Sequence, residues 1–142
     1  HFCEVNENIS AYGILRHRHT PEMVSQLPGA TFDRFVFTPH LIPITRGILN
    51  TIVLRVSDRV TVRSILNECY EKTPFVQVLP DGQMPNVHNV ARTNLCSIGI
   101  ATLGPTTVIV SAIDNLVKGA AGQAIQNLNL MLGCEPGAGL SQ

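Results

Sequence analysis

The sequence predicts an α+β fold with a mixed, largely antiparallel sheet and helices on one face. Helical and strand-like segments alternate along the chain, and the last two strands are joined by a connection of hairpin length. No internal repeat interrupts this order. Because 142 residues suffice for one hydrophobic core but not for two ordinary domains, residues 1–142 are expected to form a single domain.

Each predicted element follows from its local pattern. Alternating or β-branched apolar residues predict strands at 11–18, 32–41, 48–57, 75–79, 95–103 and 106–113. Helix-start residues and apolar residues at helical spacing predict helices at 21–27, 61–73 and 115–132. The segment 80–92, rich in turn-forming residues, is expected to be a long loop.

Particular residues set the predicted boundaries of these elements. Thr20 is expected to cap the first helix, with Pro21 in the first helical turn, where proline is common. Asp58 or Thr61 can cap the second helix. The dipeptide Gly104-Pro105 is expected to form the turn of the hairpin.

The final predicted helix has two different faces. Residues at helical spacing are expected to form a buried stripe: Val117, Ala120, Ala124, Leu128 and Met131. Gly119 and Gly122 lie on another face with Gln123 and Gln126, and each glycine costs about 1 kcal/mol relative to alanine in a helix. Close approach of another backbone or of a flat cofactor is the expected compensation.

Composition excludes several classes of protein. Only 14% of residues are charged and the two signs balance, so nucleic-acid binding is not expected. The sequence shows no secretory signal and no apolar run of about eighteen residues, which predicts neither export nor a membrane span. The four cysteines lack a C-x-x-C pair, which favours reduced thiols in a cytoplasmic protein. The chain does not begin with Met and is expected to be part of a longer protein.

The segment 17–22 concentrates groups suited to acid-base chemistry. His17 and His19 are two residues apart, so on a strand both would project from one face, and Glu22 is close enough in sequence to orient an imidazole. One histidine could then act as a general base. Two alternatives are a pair of ordinary surface histidines and a three-histidine metal site that includes His40.

A proline-rich bend brings a second pair of candidates near one another in sequence. His40 and Arg46 lie around Pro39 and Pro43, and Arg46 could bind a carboxylate or phosphate through two N–H groups. The alternative is an ordinary surface arginine after a turn. Neither a phosphate-binding G-x-x-x-x-G-K loop nor a dinucleotide-binding G-x-G-x-x-G motif is present, so the main site for any nucleotide is expected elsewhere.

Four motifs, in the same order, resemble those of one enzyme family. They are His-Arg-His-Thr-Pro-Glu at 17–22, Thr-Pro-His-Leu-x-Pro-x-x-Arg-Gly-Ile at 38–48, Thr-Asn-x-Cys at 93–96, and Asp-Asn-Leu-x-Lys-Gly-Ala-Ala-Gly-Gln-Ala at 114–124. The family is N-acetyl-γ-glutamyl-phosphate reductase. The resemblance implies an N-terminal Rossmann domain that is absent here, followed by a catalytic and dimerisation domain similar to the C-terminal domain of glyceraldehyde-3-phosphate dehydrogenase. Our chain corresponds to most of this second domain.

The resemblance also implies a reaction and a set of site residues. The family uses NADPH to reduce N-acetyl-γ-glutamyl phosphate to N-acetylglutamate 5-semialdehyde in arginine biosynthesis, with NADP(H) bound mainly by the Rossmann domain. A homodimer, formed through the sheet, or a homotetramer is implied. The implied roles are His19 as base, Glu22 orienting it and His17 as the alternate base; Arg46 and His40 in the substrate region; and Asn115, Lys118 and Gly119 near the nicotinamide or closing the gap between domains.

One departure from the family bears on activity. The family's nucleophilic cysteine lies in a Pro-Gly-Cys-Tyr-Pro-Thr motif, and that motif is absent from this sequence. None of the four cysteines present has the matching surroundings. The isolated chain is therefore expected to be inactive. A noncatalytic dimerisation or binding module of the same fold is the alternative, because fold and function separate readily.

Overall fold

The chain divides into two compact units, an N-terminal unit (His1–Thr45) and a C-terminal unit (Arg46–Gln142). The structure is a computed structural model that describes residues 6–31, 33–56 and 62–140. The elements of the N-terminal unit are β1 (Ser10–Ala11), α1 (Thr20–Gln26) and β2 (His40–Leu41). The two strands pair antiparallel over two residues each.

The long strands predicted at 11–18 and 32–41 are wrong. After Ala11 the chain turns, with positive φ angles at Gly13 (58°) and Leu15 (57°) that no extended strand adopts. The alternation around Phe37 reflects side-chain packing instead, because its ring lies 5.3 Å from the ring of His17. Phe32 lies outside the described residues.

The first helix is confirmed with its start shifted by one residue. His19 is the N-cap residue and makes no capping hydrogen bond through its side chain, whereas Thr20, predicted as the cap, is the first helical residue. Pro21 lies in the first turn, where a missing N–H costs no helical hydrogen bond. The hydroxyl of Thr20 is buried and has no hydrogen-bond partner among the described residues.

The C-terminal unit contains a four-stranded mixed sheet with the order β3-β6-β5-β4. Its elements are β3 (Ile48–Arg55), α2 (Val62–Tyr70), β4 (Val76–Val78), α3 (Val87–Val90), β5 (Cys96–Leu103), β6 (Thr106–Ile113), a π-helical turn (Val117–Ala121) and α4 (Gly122–Met131). β4 and β5 are parallel and the other pairs are antiparallel, which confirms the predicted sheet type. The proposed caps Asp58 and Thr61 lie outside the described residues.

The hairpin between β5 and β6 forms as predicted. Leu103 pairs with Thr106, which leaves a two-residue turn. Gly104 has a φ of 57° and precedes Pro105, a combination suited to a turn with glycine at its first central position. This hairpin supplies the two central strands of the sheet.

Arg63 links the second helix to the sheet. Arg63 of α2 donates from Nη1 to the carbonyl oxygen of Leu79 (2.6 Å) and from Nη2 to that of Ile100 (3.3 Å). Its Nε lies 2.6 Å from Oδ1 of Asp81. The predicted loop 80–92 is wrong over Val87–Val90, because the side chain of Asn86 accepts the Asn89 N–H and begins the short helix α3.

The buried stripe predicted along the final helix is wrong. Leu128 is 51% exposed and Met131 is 83% exposed, whereas Gly122 and Asn129 are buried. The reason is the π-helical turn at Val117–Ala121, in which N–H groups bond to carbonyls five residues back. The extra residue in this turn rotates all later positions, so a count at 3.6 residues per turn selects the wrong face.

Edge strand β3 is unusual in its exposure. All eight of its residues are exposed although most are apolar. Val53, for example, is 64% exposed. The described residues thus leave apolar surface on this edge strand uncovered.

Candidate functional site

The two histidines of segment 17–22 lie together, although not on a strand. Their ring centroids are 5.0 Å apart in an edge-to-face arrangement, and the His19 backbone N–H donates to Nδ1 of His17 (3.3 Å). The rings of Tyr12 and Phe37 also pack edge-on against His17, at 5.4 and 5.3 Å. Because its Nδ1 accepts a hydrogen bond, neutral His17 carries its proton on Nε2.

The remaining candidates of the N-terminal unit are exposed. His19 is exposed at the start of α1, and Glu22 is exposed in the first turn of that helix. No hydrogen bond joins the Glu22 carboxylate to either imidazole among the described residues. His40 is exposed on β2, opposite Ala11. The orienting role of Glu22 therefore stays a prediction.

The described residues do not support the three-histidine metal alternative. Within ranges 6–31, 33–56 and 62–140, no three side chains from His, Cys, Asp and Glu are grouped so that they could hold a metal ion. In the same part of the chain, no helix is long and apolar enough to cross a membrane.

In the C-terminal unit, candidate residues converge where three strands begin or end. Ile48 at the start of β3 pairs with Ile113 at the end of β6, which in turn pairs with Cys96 at the start of β5. The residues just outside these pairs therefore lie at one end of the sheet. We call this group the strand-end cluster: Arg46, Gly47, Arg92, Asp114 and Asn115.

A buried carboxylate lies at the centre of the strand-end cluster. Asp114 has no exposed surface and accepts four hydrogen bonds. Its Oδ2 accepts from Nη1 of Arg46 (3.1 Å) and from the backbone N–H of Arg92 (2.6 Å). Its Oδ1 accepts from the backbone N–H groups of Leu116 (2.8 Å) and Val117 (2.9 Å). One side chain thus joins the segments before β3, before β5 and after β6.

These bonds determine the charge of Asp114. Burial alone raises the pKa of a carboxyl group, but the bonds from Arg92, Leu116, Arg46 and Val117 outweigh burial and lower the pKa of Asp114 to about 2. The carboxylate is consequently ionised at neutral pH and balances the positive charge of Arg46.

The neighbouring residue Asn115 makes a parallel contact. Its Oδ1 accepts the backbone N–H of Gly47 at 2.7 Å. Gly47 has a φ of 110°, and a Cβ at this position would overlap the Val87 side chain. The positive φ and the lack of space for a Cβ both require glycine at position 47. The hydrogen bond to Asn115 therefore depends on the close approach of the Gly47 backbone to α3.

A second group, the amide cluster, consists of Asn94, Lys118 and Gln126. Oε1 of Gln126 accepts from Nζ of Lys118 (2.8 Å) and from Nδ2 of Asn94 (3.3 Å). Because an ammonium group only donates, Lys118 fixes the orientation of the Gln126 amide, and Gln126 then fixes that of Asn94. Oδ1 of Asn94 is left against Gly122, buried and without a hydrogen-bond partner in the described part of the chain.

The ammonium of Lys118 is directed into the unit. Its Nζ lies 5.9 Å from the ring centroid of buried Phe75. Burial lowers the pKa of Lys118, while the charge of Cys96 acts in the opposite direction. Burial raises the pKa of the Cys96 thiol, with Lys118 opposing. Cys96 therefore lacks the low pKa typical of a nucleophilic cysteine.

The two glycines of the final helical segment differ. A Cβ at Gly122 would overlap Oδ1 of Asn94 and lie 2.8 Å from the carbonyl oxygen of Val117, so Gly122 meets its close contact inside the chain. Gly119 is exposed, and a Cβ there would meet Cδ1 of Ile113 at 3.4 Å. Of these two glycines, Gly119 is exposed and Gly122 is buried, and the docking of a backbone or cofactor at Gly119 stays a prediction.

Five members of these clusters were not predicted as site residues: Gly47, Arg92, Asn94, Asp114 and Gln126. Asp114 follows a β-branched strand and precedes a helical segment, which is a capping signal that could have been used. Asn94 and Gln126 are 32 residues apart, and no local pattern links them. Among the predicted residues, the fold brings Arg46 and Asn115 into one cluster and Lys118 into another.

A match to a family model defines the class of protein. The sequence matches the family model described as "Semialdehyde dehydrogenase, dimerisation domain" over residues 1–115. The chain therefore belongs to the semialdehyde dehydrogenase dimerisation-domain family. Its α+β architecture with a mixed sheet is of the glyceraldehyde-3-phosphate dehydrogenase C-terminal type, as expected.

Two curated relatives of the chain carry the same name. The chain is 47% identical to N-acetyl-gamma-glutamyl-phosphate reductase of Desulforapulum autotrophicum over 99% of its own length and 43% of that protein. It is 46% identical to the Staphylococcus saprophyticus reductase over 100% of its own length and 43% of that protein. These matches confirm the resemblance carried by the four motifs. The chain spans less than half the length of these relatives.

A solved structure agrees with the fold. The chain is similar to aspartate semialdehyde dehydrogenase II of Vibrio cholerae, solved in complex with ASA, with a TM-score of 0.54. The similarity covers 66% of this chain and 29% of that one at 16% identity. At this identity the likeness concerns the fold alone.

Proposed function

We propose that this chain is the substrate-binding and dimerisation part of an NADPH-dependent reductase that converts N-acetyl-γ-glutamyl phosphate to N-acetylglutamate 5-semialdehyde and phosphate. The observation that carries the proposal is the 47% identity to a reductase of that name over 99% of the chain. The substrate is a small molecule and the protein acts in arginine biosynthesis in the cytoplasm. A Rossmann domain outside these residues binds most of the NADP(H).

The proposed reaction has two chemical steps. A cysteine thiolate attacks the acyl carbon and expels phosphate, which forms a thioester. A bound NADPH, which Asn115 and Gly119 are proposed to approach, would supply the hydride that converts the thioester to the aldehyde, with the cysteine thiolate as the leaving group. His19 accepts the proton of the cysteine thiol before attack, and its exposed imidazole supports this role over half-buried, ring-packed His17. Glu22 is proposed to orient His19 when substrate is bound.

Substrate and cofactor contacts are proposed for the remaining candidates. Arg46 and His40 bind the anionic groups of the substrate, since a guanidinium suits carboxylate and phosphate. Asn115 and Gly119 approach the nicotinamide: Gly119 is exposed and bare, which fits a flat ring. Lys118 contributes by holding this segment, because its ammonium is bound to Gln126.

Dimerisation is proposed to occur through the sheet. The exposed apolar residues of β3, such as Val53, support this surface, and the matched family model describes a dimerisation domain. A homodimer is expected, or a homotetramer built from two such dimers. Analytical ultracentrifugation of the full chain and of Val53→Asp tests the surface. The substitution should yield monomers, whereas Met131→Asp, at a more exposed position (83% against 64%) on α4, should leave the dimer intact.

An enzyme assay tests the proposed reaction. The native gene product should oxidise NADPH only when N-acetyl-γ-glutamyl phosphate is present, and the isolated 142-residue chain should not. A native product that binds neither substrate nor NADPH would favour the noncatalytic module. Acyl-phosphate reduction by the isolated chain would contradict the proposal that the nucleophile lies outside it.

A further inference from the structure

The four hydrogen bonds to Asp114 serve two different purposes. Oδ1 accepts the N–H groups of Leu116 and Val117, as a capping side chain does at the start of a helical segment. Oδ2 accepts Nη1 of Arg46 and the N–H of Arg92. An asparagine could provide the first function, but its second terminal atom would be an NH₂ group facing two donors.

The two members of the Arg46–Asp114 ion pair differ in their exposure to solvent. Asp114 has no exposed side-chain surface, whereas Arg46 is 37% exposed. A guanidinium carries five N–H donors in one plane, and the described residues engage it only through Nη1. A carboxylate bound to one Nη1 N–H limits the directions in which the other N–H groups can point. The buried member therefore orients a partly exposed cation.

Backbone geometry indicates that Oδ2 is held firmly in place. Arg92 adopts a φ of 66°, a left-handed conformation that L-residues other than Asn and Asp rarely adopt. Its N–H bond to Oδ2 is the shortest of the four, at 2.6 Å. The contacts to Leu116 and Val117 hold the opposite oxygen, so the carboxylate has little freedom to follow Arg46 if the arginine moves.

We propose that Asp114 is a positioning residue for substrate binding: its buried carboxylate holds the Arg46 guanidinium in the orientation in which its remaining N–H groups bind the anionic group of the substrate. This inference rests on the proposed substrate role of Arg46. Asp114 itself does not touch the substrate, because it is fully buried.

The test is a double-mutant cycle in the native gene product that contains this chain. The variants are Asp114→Asn, Arg46→Met and both together, assayed with N-acetyl-γ-glutamyl phosphate and NADPH. Each single variant should raise KM for the acyl phosphate about tenfold, with kcat changed less than about threefold, because a charged hydrogen bond to substrate is lost. The double variant should be no worse than Arg46→Met, since Asp114 acts only through Arg46.

A matched control is available in the same unit. Asp81 also pairs with an arginine, Arg63, but it is 87% exposed and belongs to neither cluster. Asp81→Asn removes the same charge and should leave KM unchanged. If Asp114→Asn does not fold, Asp114→Glu, which keeps the charge and displaces it by one methylene, takes its place in the cycle.

The outcomes separate the two hypotheses. An unchanged KM in Arg46→Met overturns the substrate role of Arg46 and this inference with it. If Arg46→Met raises KM and Asp114→Asn raises it further by the same factor in the double variant, Arg46 keeps its role in substrate binding. The positioning role of Asp114 is then overturned. A readout independent of activity is the Arg46 side-chain NMR signal of the full chain: slow guanidinium rotation is expected, and fast rotation would contradict the inference.

Discussion

The histidine segment of the N-terminal unit and the strand-end cluster of the C-terminal unit both supply candidate site residues, and different forces hold them. The imidazoles of His17 and His19 contact rings, and His19 is exposed. In the strand-end cluster, four hydrogen bonds converge on Asp114, which is fully buried. A group that exchanges protons needs access to solvent or substrate, whereas a group that fixes geometry is most effective when buried.

The largest expected effect belongs to the histidine segment. His19→Ala should lower turnover of the native gene product by about two to four orders of magnitude, because a general base is lost. The stability of the full chain should change little, since the imidazole is exposed. His17→Phe keeps the ring contacts and should retain most activity. If the activity loss instead follows His17→Phe, His17 is the base.

The strand-end cluster is expected to respond in stability to acid. The pKa of Asp114 is lowered to about 2 in the folded chain from its ordinary value of 3.8, so its contribution to stability is complete above about pH 4 and is lost as the pH falls through 2. That contribution is about 2.5 kcal/mol. Arg46 is the charged group that faces the carboxylate.

Urea unfolding of the full chain at several pH values checks this expectation. The difference in free energy of unfolding between the chain and Asp114→Asn should be largest near neutral pH and should shrink between pH 4 and pH 2. A difference that does not change across this range would mean that the carboxylate charge is not responsible.

A pair of glycine variants refines the comparison within the final helical segment. Gly122→Ala should destabilise the full chain by about 2 kcal/mol, because the added Cβ overlaps Asn94 and overpacking is costly. Gly119→Ala should be neutral or stabilising by up to about 1 kcal/mol, since its Cβ finds ordinary contacts. Equal destabilisation by both, measured by urea unfolding, would contradict this assignment.

Gly119→Ala has a second, functional readout. In the native gene product it should raise KM for NADPH if Gly119 approaches the nicotinamide as proposed. Unchanged NADPH binding would remove Gly119 from the cofactor site and leave its exposure unexplained.

The smallest effect is expected at the exposed ion pair. Asp81 lies 2.6 Å from Nε of Arg63, but it is 87% exposed, so water screens the pair. Asp81→Asn should change the free energy of unfolding by less than about 0.5 kcal/mol. A larger loss in urea unfolding would show that the short contact distance, and not burial, determines how much an ion pair of this chain contributes to stability.

Sequence patterns predicted the C-terminal unit better than the N-terminal one. The strand period and the Gly104-Pro105 turn are local signals, so β3, β5 and β6 could be predicted. The strand predicted at 11–18 failed because Gly13 and Leu15 adopt positive φ angles that alternation does not reveal. The strand predicted at 32–41 failed because alternating apolar residues do not distinguish a strand from a segment in which a ring such as that of Phe37 packs on another ring.

Sequence motifs indicated some residues of the candidate site, but they did not indicate which residues those side chains contact. Arg46 and Asn115 were identified as candidates, but their partners lie 68 residues away in sequence, at Asp114 and Gly47. The stripe expected along the final helix failed because nothing in the sequence marks the π-helical turn. Contacts between distant segments depend on the register of the strands, which local sequence patterns do not reveal.

The long sequence separation between Arg46 and Asp114 also has a kinetic consequence. The hairpin of β5 and β6 closes over two residues and can form early, whereas β3 must join it across a loop of several dozen residues at a larger cost in chain entropy. The Arg46 contact can form only when β3 docks. We therefore expect removal of this contact to accelerate unfolding while leaving the rate of refolding nearly unchanged.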